Sequence, residues 1–385
     1  MKRILFVTGT RADFGKLEPL MEVVEQRNDF ECSVFVTGMH MMERYGGTYR
    51  EVIKSRIQHS QSPDVLMTNT HMYMNQVAGD QQDVILANTI MGLARFVTES
   101  TPDMIVVHGD RVESLAAAIV GSMRNILVGH IEGGEVSGTI DELIRHSITK
   151  LAHIHFVAND DCKSRLMRMG ECSSSIYVIG SPDLDSLKSD KLPLLEAAKR
   201  HYELPFDDYA IVTMHPVTTE VKSFNKYAKD FVDALIESGE NYVAILPNND
   251  PGSEHIFKEY ERLQGRANFK LFPSIRFSYF LVLMKHAKFM IGNSSAGVRE
   301  MPFCARPSIN VGTRQQKRSH ARSVINVGYS REEILQGIRQ AQEQVFVPKS
   351  VEFGFGNSAE LFGQAIDDEA VWSTPLQKAF TDLEG

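Results

Sequence analysis

Between residues 130 and 147 the chain reads HIEGGEVSGTIDELIRHS, which sets Glu132, Glu135, Asp141 and Glu142 beside Arg145 and two histidines. Glu132 stands just past an apolar run and just before Gly133-Gly134, where the absence of side chains lets a ligand approach the backbone. Asp110 ends the run MIVVHGD in the same manner. Carboxylates gathered at one cleft push at least one pKa upward, as acid and base work on a substrate requires. The plainer reading is a set of structural ion pairs. Thr139-Ile140-Asp141-Glu142 fits the S/T-x-x-E capping box, with Thr139 as N-cap and Glu142 folded back to the backbone. Asp141 then lies in a first helical turn, favoured by the helix dipole, with Arg145 one turn along the same face. Asp141 is therefore expected to be ionised and held in place, while Glu135 fits either reading.

A second group of residues suits an anion. GTRADFGK is not a phosphate-binding P-loop, because five residues separate Gly9 from Gly15 and Leu17 follows Lys16. No G-x-G-x-x-G follows the first apolar run either. Arg11 and Lys16 remain, on a strand-to-helix turn; a solvated basic turn is the alternative. In GNSSAGVRE, residues 292–300, a strand-like run enters a small-residue turn and a helix-like run leaves it. N–H groups there, with the Ser294 and Ser295 hydroxyls, would take a diphosphate at a helix N-terminus, and Glu300 about two turns on could accept from ribose hydroxyls. Arg276 in PSIRF and Arg314 in GTRQ follow strand-like runs, and guanidinium forks suit phosphate oxygens as well as surface carboxylates. His215 in MHPVTTE ends a strand-like run before Pro216, so the chain is extended there, and its imidazole can donate to phosphate or exchange protons. A satisfied loop or core histidine is the alternative for His215, and more so for His40, His108 and His130. No H-E-x-x-H or Cys/His spacing suits a metal, and nothing calls for a cofactor.

These residues need elements to position them. Short β-branched or aromatic runs recur, each followed by a polar, glycine-bearing cluster and a helix-like segment, which is the mark of parallel α/β structure. The pairs RILFV–TGTRAD, CSVFV–TGMH, MIVV–HGDR, ILVG–HIEGGE and IYVI–GSPD fill the first half; YAIVT–MHPVTTE, YVAIL–PNND, FKLF–PSIR, KFMI–GNSSAG and SIN–VGTRQ fill the second. The stretch SPDLDSLKSDKLPLLEAAKRHYELP between them has charges and prolines but no strand pattern. Two Rossmann-like, doubly wound α/β domains facing a central cleft follow, since such sheets bind ligands outside the carboxyl ends of their strands. The expected division is 1–185 for the domain with the carboxylates, 186–363 for the anion-binding domain, and 364–385 for a helical tail broken at Pro375 that returns to the first domain. Residues 53–97, rich in Met, Gln and Asn, read as mostly helical.

At 385 residues and 43% hydrophobic content the chain can bury two or three cores. A formal net charge of −8 argues against general attraction to nucleic acid or anionic membrane, so any phosphate must be held locally. The apolar run after Met1-Lys2-Arg3 is too short for a signal peptide, and none approaches a membrane span. Four scattered cysteines without a C-x-x-C pair read as reduced, buried thiols of a cytoplasmic protein.

In order along residues 3–315, GTRADFGKLEPL, TGMHMMERYG, HGDRVES, HIEGGEVSGTIDELIRHSITKLAHIH, HPVTTE, PNND, PSIRF, GNSSAGVRE and GTRQ resemble the hydrolysing UDP-N-acetylglucosamine 2-epimerases that open sialic acid biosynthesis. The resemblance implies a GT-B-like fold around a nucleotide-sugar cleft, UDP-N-acetylglucosamine as substrate, and a homo-oligomer. Where non-hydrolysing relatives usually carry threonine after HGD and EAGLR, this chain has Arg111 and EGGE, which favours the hydrolysing branch. By match to the family's motifs, Asp110, Glu132 and Asp141 form the acid/base set, with His215 near the diphosphate or assisting proton transfer. Arg11, Arg276, Ser294, Ser295, Glu300 and Arg314 hold UDP, Lys16 and Ser274 are further substrate-binding residues, and His40, Glu135 and Arg145 stand around the sugar. The rivals are a hydrolysing epimerase for a UDP-2,4-diacetamido-trideoxy sugar, a non-hydrolysing epimerase, and a GT-B glycosyltransferase or non-catalytic nucleotide-sugar binder.

Overall fold

Residues 1–59, 69–344 and 347–382 are described by the computed structural model of the chain. Near-continuous apolar runs become strands covered on both faces, as parallel sheets demand. In Lys2–Thr8 (β1), for example, Ile4, Leu5 and Phe6 have no exposed surface. Phe30–Val36 (β2), Thr70–Met72 (β3), Met104–His108 (β4), Leu127–Ile131 (β5), Ile154–Val157 (β6) and Ile176–Val178 (β7) complete the first parallel sheet, in the order β3-β2-β1-β4-β5-β6-β7 among the described residues. The second comprises Ala210–Thr213 (β8), Tyr242–Ile245 (β9), Phe269–Phe272 (β10), Met290–Gly292 (β11), Ser308–Val311 (β12) and Val324–Val327 (β13), in the order β10-β9-β8-β11-β12-β13, again all parallel. Strand order reverses between β1 and β4 in one sheet and between β8 and β11 in the other. A doubly wound sheet leaves its ligand crevice at that reversal, because the connections on either side run to opposite faces.

By contacts the chain divides into two units: residues 1–135, 141–186 and 354–385 form the first, and 136–140 with 187–353 the second. Residues 354–363, expected with the second domain, therefore belong to the first. The cause is the helix Ser358–Asp367, whose Phe362 packs against Phe6 and Phe156 in the first core, while Asp185 caps its start at the Ser358 and Ala359 N–H groups. The helix expected beyond Pro375 does not form over residues 376–382. Tertiary bonds hold that segment instead: Lys378 Nζ lies 2.5 Å from Glu171 and 2.6 Å from the Thr149 and Ala152 carbonyl oxygens. The stretch 53–97 is mostly helical over its described residues, in Tyr49–His59 and Gln82–Ser100, with β3 between them; its residues 60–68 lie outside the described part. Among the cysteines, Cys32 and Cys162 are buried and Cys304 half-buried, but Cys172 is exposed, contrary to the expectation for all four. No helix among the described residues is long and apolar enough to cross a membrane.

Candidate active site

At the reversal of the first sheet, β4 delivers Gly109-Asp110 and β5 delivers Glu132. Gly109 turns with φ +74, its N–H donating to the Ile131 carbonyl at 3.0 Å. His130 donates from Nε2 to the Gly109 carbonyl at 2.8 Å. Burial drives the His130 pKa down to about 3, so the ring is neutral and structural. Asp110 is 20% exposed at the side chain, and behind it Arg145, with none of its surface exposed, donates from Nη2 to Asp110 Oδ2 and from Nη1 to the Glu135 carbonyl at 3.0 Å. Burial opposes the guanidinium charge, yet Asp110, Glu132 and Glu135 outweigh it and the Arg145 pKa is raised. Arg145, expected beside the sugar, is thus a buried support, and its bonds run to Asp110 and Glu135.

Glu132 is a non-glycine residue at φ +76, a left-handed conformation that costs about 1–3 kcal/mol and persists only when its surroundings impose it. Here its N–H donates to the Phe156 carbonyl at 3.1 Å, tying it to the neighbouring strand. Its Oε2 lies 2.9 Å from His108 Nε2 and 3.9 Å from Lys16 Nζ. Lys16 in turn lies 3.4 Å from Asp183 Oδ2, and Asp183 is fully buried. Lys16 is thereby drawn into the carboxylate cluster: the helix Arg11–Glu25, opened by a Thr10/Asp13 capping box, turns its side chain inward, where it is 7% exposed. Sequence reasoning read His108 chiefly as a satisfied histidine and missed Asp183. GSPD closes β7 as HGD closes β4, and that likeness was the available signal.

The remaining first-unit candidates separate by burial. His40 is fully buried, bonded to the Thr8 and Thr48 hydroxyls, and driven to a pKa of about 3 by burial and then by the Arg11 charge, which leaves it no surface toward a sugar. Arg11 lies 3.9 Å from Glu51. Glu135 is buried, and at the preceding Gly134 a Cβ would meet the Cys162 carbonyl oxygen at 2.4 Å. Asp141 sits half-buried in the first turn of the helix Ile140–Leu151, and Glu142 lies 3.3 Å from His146 Nε2.

At the reversal of the second sheet, β8 leads into His215 and β11 into Asn293. Gly292 precedes it at φ +136, where a Cβ would lie 1.9 Å from the Thr213 carbonyl oxygen, so only glycine fits. Asn293 is fully buried; its Oδ1 accepts from the His215 N–H at 2.7 Å and its Nδ2 donates to the His215 carbonyl at 2.8 Å. Its own carbonyl accepts from Arg314 Nη1 at 3.2 Å and Gln315 Nε2 at 3.1 Å. Ser294 caps a short 3-10 turn, Ser295–Gly297, rather than the long helix expected, and Glu300 opens a four-residue helix, Glu300–Phe303, instead of standing two turns in. Pro302, which has no N–H to donate, stands inside that second piece. A macrodipole from so few peptides is small, so the anion-binding capacity here belongs to individual N–H groups, hydroxyls and Arg314. Glu300 is 2% exposed. Ser274 and Arg276 lie on the loop after β10, where the Arg276 N–H donates to the Tyr202 hydroxyl at 2.8 Å. Gly138 also belongs to this unit: its N–H donates to the Arg314 carbonyl at 3.0 Å, and a Cβ there would meet the Thr313 carbonyl at 2.1 Å.

One unit thus offers carboxylates paired with cations and partly opened to a ligand; the other offers a hydrogen-bonding cradle with a histidine and an arginine. Two doubly wound parallel α/β units of this kind are a GT-B-like architecture, and a UDP-GlcNAc 2-epimerase from Neisseria meningitidis, solved bound to UDP-GlcNAc, shares it at TM-score 0.76, with 94% of this chain and 99% of that one covered at 19% identity. The chain belongs to the UDP-N-acetylglucosamine 2-epimerase family, whose model matches residues 22–367. Among its relatives, a UDP-N-acetylglucosamine 2-epimerase of Neisseria meningitidis serogroup B is 48% identical, with the whole of both chains covered. A UDP-N,N'-diacetylbacillosamine 2-epimerase (hydrolyzing) of Legionella pneumophila is 31% identical over 98% of this chain and 99% of its own length.

Proposed function

We propose that the protein is a hydrolysing UDP-N-acetylglucosamine 2-epimerase, converting UDP-N-acetylglucosamine and water to N-acetylmannosamine and UDP. The observation that carries this reading is the carboxylate cluster at the first reversal, where Arg145 holds Asp110, and His108 and Lys16 hold a strained Glu132. A nucleotide-sugar transferase or simple binder has no use for such a cluster. Arg111 and the EGGE sequence favour the branch that releases the sugar.

In the first step the C1–O bond to UDP breaks with its electron pair leaving on the diphosphate. A carboxylate removes the C2 proton, and the C2–H electrons become the C1=C2 bond of 2-acetamidoglucal. Because that proton is not acidic in the ground state, C1–O cleavage runs ahead, and carboxylates nearby stabilise the positive charge growing at C1. Water then adds its oxygen at C1 and a proton returns to C2 on the opposite face, inverting that centre. Asp110, Glu132 and Asp141 are the acid/base set of this reading. Ser294, Ser295 and Arg314 receive the departing diphosphate, with Arg11, Ser274, Arg276 and Glu300 as further UDP contacts.

Proton NMR of the protein with UDP-N-acetylglucosamine in heavy water tests it. Free N-acetylmannosamine deuterated at C2, together with UDP, is the expected result; UDP-N-acetylmannosamine would mean the non-hydrolysing reaction. The similarity to the Legionella pneumophila enzyme supports a second reading, a UDP-2,4-diacetamido-trideoxy sugar as substrate. Unchanged UDP-N-acetylglucosamine with turnover of the diacetamido sugar would establish it.

A further inference from the structure

β8 lies between β9 and β11, and the loops of both neighbours grip the residue that follows it. From the β11 side, the Asn293 amide closes on both backbone groups of His215, at 2.7 and 2.8 Å. A backbone N–H can only donate and a carbonyl can only accept, so the amide orientation admits no alternative. From the β9 side, the Asn248 N–H donates to His215 Nδ1 at 3.2 Å. That donor is likewise obligatory, and Nδ1 must therefore be the ring nitrogen without a proton. The neutral imidazole then carries its hydrogen on Nε2.

We infer that Asn293 is a positioning residue which, together with the Asn248 N–H, locks His215 as the Nε2–H tautomer, so that His215 serves as a hydrogen-bond donor and not as a base. Resting on the epimerase reading, this makes His215 a donor to the phosphate oxygens of UDP as C1–O breaks; no proton is transferred in that contact. A base at this place would need a bare Nε2, which requires the hydrogen on Nδ1, against the Asn248 N–H. Asn293 can do this without ligand contact of its own, since none of its surface is exposed. Its main-chain carbonyl separately anchors Arg314 and Gln315, and that bond survives replacement of the side chain.

The tautomer is read directly by nitrogen-15 NMR of the histidine-labelled protein in the presence of UDP, with His215→Gln assigning the signal. The expected spectrum shows His215 bearing hydrogen on Nε2 and an unprotonated Nδ1; a proton on Nδ1, alone or in an imidazolium at neutral pH, overturns the inference. Kinetically, Asn293→Ala should lower kcat at least tenfold and, like His215→Gln, weaken UDP binding severalfold. The double variant with His215→Gln should be no slower than His215→Gln alone, because both changes remove one function. Additive losses overturn the positioning role. Should Asn293→Ala not fold, Asn293→Asp keeps the acceptor for the His215 N–H and loses the donor to its carbonyl; kcat should fall at least threefold, and unchanged kcat would overturn it. An inactive wild-type protein with the Nε2–H tautomer would sink the epimerase reading and leave the tautomer assignment standing.

Discussion

The two units share a topology and place their polar clusters at the same reversal of strand order, yet they stabilise those clusters by different means. In the first unit, charged groups neutralise one another: Arg145 with Asp110, and Lys16 with Glu132 and Asp183, while His108 Nε2 lies beside Glu132. In the second, amides and main-chain groups bind one another around Asn293, and Arg314 bonds to that hub. A set of mutually paired charges is poised to change protonation; a set of oriented dipoles is poised to hold an anion without exchanging a proton with it. The contrast suggests chemistry in the first unit and binding in the second.

Several substitutions can break that division. The largest effect is expected for Asp110→Asn and Glu132→Gln, which should cut turnover about a thousandfold, within the range for lost acid or base groups, with UDP affinity by calorimetry unchanged within a few fold. Normal turnover in both variants would sink the assignment. Arg145→Ala should cost on the order of 3 kcal/mol in urea unfolding, because it strands a carboxylate beside a buried gap, and Arg145→Lys should not restore it, since one ammonium cannot span Asp110 and the Glu135 carbonyl. Gly292→Ala should destabilise the second unit by about 2–3 kcal/mol, well beyond Gly239→Ala, whose φ of +70 has open space around it and whose cost is about 1 kcal/mol. Equal urea midpoints for the two would disprove the steric account.

Acid should separate the units more gently. Burial holds His40 and His130 at pKa values of about 3 and lowers His153 and His155, all in the first unit. A histidine depressed in the folded state adds stability above about pH 6.5, and that stability is lost as pH falls toward the folded value. Asp13 and Asp185, raised by burial, work the other way, but the lowered His71 and Glu171 add to the four histidines. The second unit's histidines are half-buried or exposed. Hydrogen exchange, corrected for intrinsic rates, should therefore show the first unit opening before the second between pH 6.5 and 4; the reverse order would contradict the burial argument. Ser295→Ala is the smallest of the set, a loss of about 1 kcal/mol in UDP binding with kcat at saturation unchanged.

Much of this arrangement was legible from residue order, because buried parallel strands write themselves as apolar runs ending in polar turns. Three strands were not. β6 reads IHFV after a histidine, and its His155 is spent on Glu171 at 3.1 Å, a burial that no local pattern announces. β3 is three residues long, and β13 is an edge strand only partly covered, so neither carries a continuous apolar signature. In the site, Asp110 and Glu132 announced themselves by position after a strand. Lys16 was expected to bind substrate from a basic turn, and only the meeting of three segments distant in sequence shows it among Glu132 and Asp183. Arg145 was placed on the correct helix, but its bond to Asp110, 35 residues away, lies beyond the reach of helical spacing.

The return of residues 354–385 to the first unit has a consequence in time. At synthesis rates of about 5–20 residues per second, the ribosome needs roughly 10–30 s to pass from residue 186 to residue 354. Throughout that interval the first unit lacks Phe362, and the apolar faces of Phe6 and Phe156 stand without their partner. The nascent chain thus finishes its second-born unit first, and the half bearing the carboxylates closes only when the last helix arrives.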